Sequence, residues 1–156
     1  EFGGCFLNKR LNRNNDGGTT RRTTDIFQLA TTVLFQNPVQ NFALAPNNLK
    51  DVSPVCMDYI KTIPTTWDET CFIDGYPGKY VVLARRHGNT WYLAAVNAGK
   101  EIVKLKLDLD MFAGKTVSLY KDDKKGEPQL VTLKVKESGK VQLEILPQGG
   151  VVLVNN

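Results

Sequence analysis

The sequence predicts a mainly β fold, an eight-stranded antiparallel β-sandwich of Greek-key type preceded by a short helical segment. Three observations carry this expectation. Apolar residues recur with a helical period up to Pro64 and alternate after it. Eight apolar or alternating runs then follow at near-regular spacing. Turn sequences separate them: YPGK, HGN, NAGK, DDKKGEPQ, ESGK and PQGG.

The helical part comes first. In DIFQLATTVLF, residues Ile26, Leu29, Ala30, Val33 and Leu34 fall at i, i+3, i+4, i+7 and i+8, one continuous stripe. Thr23 or Thr24 is placed to cap its start, and Asn37-Pro38 marks its end. A second short helix is expected over VQNFALA. A third is signalled by SPVCMDYI, where Ser53 can accept from the first-turn amides and Pro54 suits a position whose N–H has no helical partner.

Strands are expected from there on. The first covers Thr66 to Asp74. Lys79 to Arg86 and Thr90 to Asn97 flank Gly88-Asn89 and read as a hairpin. Val103, Leu105, Leu107 and Leu109 alternate with Lys104, Lys106, Asp108 and Asp110, the pattern of a strand with one wet face. Lys115 to Lys121 is next. Val131, Leu133 and Val135 alternate with Thr132, Lys134 and Lys136, and Val141, Leu143 and Ile145 with Gln142 and Glu144; VVLV closes the chain after Gly149-Gly150.

Composition narrows the function classes. With 156 residues, 42% of them hydrophobic, the chain can bury one good core and part of a second. The net charge of +4 is spread through mixed signs without a basic stripe, so nucleic acid is not an expected partner. No run approaches the ~20 apolar residues of a membrane-spanning helix. The chain opens on EFGGCFLNKR, with neither Met nor a signal-like segment, and is expected to be a piece of a longer protein. Cys5, Cys56 and Cys71 are widely spaced and stand beside a single His, which offers no zinc spacing. They are expected to be buried thiols, with a Cys56–Cys71 disulfide left open.

One striped helix with two short companions has too little surface to form its own core, so it must pack on the sandwich or on something upstream. A βα barrel ends in a helix, and a helical segment before an all-β domain therefore fits the tail of a barrel enzyme with an accessory sandwich. The expected division is 1–64, the tail of a barrel, and 65–156, the sandwich.

The run PTTWDET, a PG turn, YVVLARR, WYLAAVN, LDLDMF, YKDD and LPQGGVVLV, preceded by RRTTDIFQLATTVLFQNPVQNFALAP, resembles the C-terminal region of glycoside hydrolase family 97. The resemblance runs from about Phe6 to Val154 and rests on the order and spacing of these stretches. It implies a parent with an N-terminal sandwich, a central (β/α)8 barrel and this C-terminal sandwich. It further implies hydrolysis of terminal α-linked glucose or galactose, calcium in the barrel, subunit contacts through the sandwich, and a periplasmic or secreted location. The paired carboxylates of such an enzyme lie at the ends of earlier barrel strands, so no catalytic, cofactor or metal residue is assigned to this chain, which is expected to be inactive alone.

Candidate residues remain. Adjacent Asp68 and Glu69 point to opposite faces of a strand and cannot form a facing acid/base pair. Trp67, Asp68 and Glu69 are expected instead at the interdomain seam, with Trp67 packed there and a carboxylate making a polar contact across it. Asn8, Arg10 and Asn12, in the loop before the first helix, would line the substrate cleft of the parent, because βα loops form the catalytic face of a barrel. His87 reads as a solvated turn residue, and DDKKGEPQ as a hairpin tip. The alternative function is a carbohydrate-binding sandwich acting through exposed Trp67 or Trp91.

Overall fold

The computed structural model describes residues 2–10, 18–44 and 46–155. Its elements are β1 (Phe2–Phe6), α1 (Asp25–Leu34), β2 (Gln40–Ala43), α2 (Pro54–Ile60), β3 (Glu69–Tyr76), β4 (Tyr80–His87), β5 (Thr90–Asn97), β6 (Val103–Asp108), β7 (Thr116–Asp122), β8 (Pro128–Lys134), β9 (Lys140–Ile145) and β10 (Gly150–Asn155). The eight strands from Glu69 onward are antiparallel, as the alternation implies. Six form one sheet in the order β3-β4-β5-β10-β7-β8, while β6 and β9 pair as a second layer.

Sequence pattern explains the unequal layers. In β6 and β9, Leu105, Leu107, Val141, Leu143 and Ile145 are buried, and Lys104, Lys106, Gln142 and Glu144 are exposed, so one face meets the core and the other water. By contrast, β5 and β10 are nearly continuous apolar runs, WYLAAV and GVVLV, and are buried on both faces. On one face Leu93, Ala95, Val151 and Leu153 pack with Leu105, Leu143, Ile145 and Phe112. On the other, Tyr92, Ala94, Val96 and Val152 pack with Ile26, Leu29, Ala30 and Val33 of α1 and with Cys56 and Tyr59 of α2. The helical segment therefore shares its core with the sheet, which becomes the middle layer of three.

Two expectations are corrected. VQNFALA is not a helix: Gln40–Ala43 is β2, parallel to β1 with Phe2 opposite Gln40, Cys5 opposite Phe42 and Phe6 opposite Ala43. Four residues are too few for periodicity to separate strand from helix, and the pairing with a distant strand decides. The first sandwich strand starts at Glu69 rather than Thr66. Its partner β4 turns away at Gly88-Asn89, so a strand residue before Asp68 would have no backbone opposite it.

Other local signals appear as read. Thr24 is the cap of α1, its hydroxyl accepting from the Phe27 N–H at 3.1 Å, and Ser53 caps α2 ahead of Pro54. Cys56 and Cys71 lie on opposite faces of the sheet, which rules out a disulfide between them. Cys71 is only half-buried, on an edge strand; the Cys5 side chain lies outside the described residues.

The approach of α1 to β10 is close at Gly150, where an added Cβ would lie 2.7 Å from the Phe27 Cα and 2.8 Å from the Ile26 carbonyl oxygen. Both are backbone atoms and cannot swing aside. Gly150→Ala is therefore expected to destabilise the protein by roughly 1–3 kcal/mol in denaturant unfolding. An unchanged midpoint would contradict this packing.

Candidate functional site

The stretch WDET sits where the chain leaves α2 and enters the sheet. Trp67 is half-buried, edge-on to Tyr92 at 5.3 Å between ring centroids, with the Arg85 guanidinium 5.6 Å from its own ring. Asp68 donates its N–H to the Arg86 carbonyl at 2.8 Å and accepts from the Gly88 N–H at 2.7 Å. The Arg86 guanidinium lies 3.6 Å from Asp68 Oδ2 and 3.2 Å from Glu69 Oε2. On the far side of the same turn, His87 Nδ1 is 2.9 Å from the Thr66 carbonyl oxygen. The described partners of both carboxylates thus lie on the sheet itself, where they hold the β4–β5 hairpin. Sharing one arginine, they have no facing geometry for acid/base work.

Arg85 is a residue that sequence reading missed. It is 1% exposed, donates from Nη1 to the Phe35 carbonyl at 2.7 Å, and makes no ion pair among the described residues. Phe35 is the C-cap of α1, so a cation meets the negative end of that helix. Burial lowers the Arg85 pKa from its ordinary value.

The opposite end of α1 has a matching anchor. Thr24 donates its hydroxyl to Asp122 Oδ2 at 2.9 Å, and Gly150 donates its N–H to the same oxygen at 3.0 Å. The Thr24 N–H reaches the Gln148 carbonyl at 3.1 Å. Arg21 pairs with Asp25 in the first turn, both side chains nearly inaccessible. A signal for the two anchors existed: Arg85 has the strand parity of Val81 and Leu83, and Asp122 that of Tyr120, so each is a charge at a helix-facing position. The neighbouring Asp123 behaves as a hairpin-tip residue, accepting from the Lys125 and Glu127 N–H groups.

The N-terminal candidates divide. Asn8 is half-buried just beyond β1, with its Oδ1 unpartnered among the described residues; Arg10 is exposed and its backbone bridges to Thr20; Asn12 lies outside the described residues. Trp91 is half-buried against the sandwich core, with Arg86 5.9 Å from its ring. Neither Trp67 nor Trp91 is therefore the exposed platform that a sugar-binding role requires. Among the described residues no group of three or more His, Cys, Asp or Glu side chains is placed to hold a metal ion. An apolar cleft of about 380 Å³ lies at the β3–β4 hairpin, lined by Phe72, Tyr76, Pro77, Val81 and Val96.

Burial pushes the Asp122 carboxyl up to about 6, against the lowering pull of the Gly150 N–H and the Thr24 hydroxyl. An unfolded Asp releases its proton near ~3.9, so between these values the folded state binds more protons and stability falls as pH rises. Asp122→Asn keeps an oxygen for Thr24 and Gly150. It is expected to flatten that slope and to stabilise the protein by about 1–3 kcal/mol above pH ~6. Denaturant unfolding across pH ~4 to ~8 reads both effects, and an unaltered slope would contradict the assignment.

Comparison with known proteins gives a consistent picture. Residues 66–155 match the family model described as glycosyl-hydrolase 97 C-terminal, oligomerisation. A retaining α-galactosidase of Bacteroides thetaiotaomicron is 30% identical over 135 residues, covering 81% of this chain and 20% of that protein. A β-arabinopyranosidase crystal structure superposes with TM-score 0.96 at 83% identity, covering 99% of this chain and 24% of the other. A glycoside hydrolase family 97 enzyme from Pseudoalteromonas sp. strain K8, in complex with acarbose, superposes at 0.80 with 27% identity, covering 100% of this chain and 26% of that one. The chain thus spans a fifth to a quarter of the length of these relatives.

Proposed function

The chain belongs to glycoside hydrolase family 97, and on that footing we propose that it is the closing part of a glycosidase. Residues 1–64 complete the catalytic barrel, and residues 65–156 form an accessory sandwich that braces the barrel and joins subunits. The observation that carries this reading is β1–α1–β2, a parallel strand pair bridged by a helix and followed by α2. Parallel pairing with a helical crossover is the repeating unit of a (β/α)8 barrel. Asn8 and Arg10 follow the C-terminal end of β1, the end from which barrel loops reach the substrate. The paired carboxylates and the calcium implied by the resemblance belong, on this reading, to the upstream part of the parent.

The sugar is read from two relatives together. β-L-arabinopyranose has the ring configuration of α-D-galactopyranose without the exocyclic hydroxymethyl group. A β-arabinopyranosidase at 83% identity and a retaining α-galactosidase at 30% identity therefore describe one hydroxyl pattern. We read the parent as removing terminal β-arabinopyranosyl residues first, α-galactosyl residues less well and α-glucosyl residues least.

Aryl β-L-arabinopyranoside, α-D-galactopyranoside and α-D-glucopyranoside tested on the full-length enzyme separate these. The arabinopyranoside is expected to give the highest kcat/KM, by about tenfold or more over the glucoside, which differs from it both in the C4 hydroxyl and in the added hydroxymethyl group. A glucoside hydrolysed fastest would overturn the sugar assignment. Sedimentation of the same enzyme is expected to show a dimer or larger species; a monomer at every concentration would remove the joining role.

A further inference from the structure

We propose that the apolar cleft on β3 and β4 seats the barrel helix that precedes β1 in the parent chain, so that three consecutive barrel helices lie across one face of the sandwich. The proposal rests on the barrel reading above and concerns a surface to which that reading assigns no partner.

The cleft belongs to the helical face of the sheet. Phe72 stands opposite Leu83, which shares its strand parity with Val81 and Arg85; the alternate pair, Cys71 and Ala84, points into the sandwich core. Val81 and Val96 line the cleft and also pack toward the helices. The apolar surface covered by α1 thus continues without a break from β10 through β5 and β4 to Phe72.

Cover stops short of that surface. α1 lies over β5 and β10, touching β4 and β7 at its flanks, and α2 lies beside it toward β7 and β8. No described element covers the cleft, and Phe72 and Tyr76 are 67% and 62% exposed. Large rings beside an apolar cleft mark a docking surface rather than an ordinary solvated strand.

Chain order names the occupant. Helices of a (β/α)8 barrel follow one another around the ring in sequence order. Since α2, which follows α1, stands on the β7–β8 flank, the helix before β1 must stand on the other flank of α1, over β4 and β3. The lining residues Phe72, Tyr76, Pro77, Val81 and Val96 offer an apolar seat. That suits an amphipathic helix carrying large apolar residues at i and i+3 or i+4, and it suits a sugar poorly.

The test uses the full-length enzyme with p-benzoylphenylalanine in place of Phe72, irradiated at low and high protein concentration and mapped by peptide mass. The expected product is a cross-link within one chain, to the helix immediately preceding β1, with a yield independent of concentration. A link between two chains would assign the cleft to a second copy and overturn the proposal, as would a link to another segment or no link at all. As a second readout, hydroxyl-radical oxidation of the unsubstituted enzyme should leave Phe72 and Tyr76 protected about fivefold or more relative to Ile102, which is also exposed in this chain. Arabinopyranoside hydrolysis by the same preparation separates the two levels: an active enzyme without the link sinks the docking alone, and an inactive one sinks the glycosidase reading.

Discussion

The structure depends on a helix held at both ends by the sheet it lies on. At its start, Thr24 uses one hydroxyl to cap its own helix and to donate to Asp122, while Gly150 admits the first turn to within backbone contact of β10. At its end, Arg85 reaches across from β4 to the Phe35 carbonyl. The Arg85 cation complements the negative end of the macrodipole and satisfies a carbonyl that helix geometry leaves open, while Asp122 ties the capping Thr24 to the Gly150 N–H of β10. With both ends fixed, the apolar stripe of α1 has one register on Ala94 and Val152, whose small side chains let it approach closely.

That arrangement alters what the change of period near Pro64 means. In sequence it reads as a boundary between two units. In space the six-stranded sheet serves two cores at once, β6 and β9 closing one face and the helices the other. Trp67 packs on the helical face of the sheet, between Tyr92 and Arg85. Asp68 and Glu69 fix the neighbouring hairpin through Arg86. Anchored in this way, the strands from Glu69 onward cannot rotate freely against α1 and α2, as the proposed bracing role requires.

The sandwich was legible because its signals are local. Leu105 and Leu107 alternate with lysines, Gly88-Asn89 sets a two-residue hairpin, and Ser53-Pro54 announces a helix; each needs only neighbouring residues to be read. What stayed hidden was decided at long range. β2 is a strand because Phe42 meets Cys5, far back in the chain. The start of β3 was misplaced because the limit is set by where β4 turns. Asp122 looked like half of a solvated acid pair, and its burial follows from Thr24 and Gly150 arriving from either side. Arg85 carried a readable sign, a charge at apolar parity, but its partner is a backbone carbonyl that has no signature in sequence.

The central claim is that α1 and the β5–β10 centre of the sheet form one cooperative unit despite the break in period between them. Native-state hydrogen exchange on the full-length enzyme, followed over a denaturant series, tests this most directly. The account predicts that amides of residues 28–34 and of residues 151–154 open with the same free energy and the same denaturant dependence. Opening of α1 at a free energy lower by about 2 kcal/mol or more, while β10 stays closed, would show that the helix merely rests on the sheet and would contradict the claim.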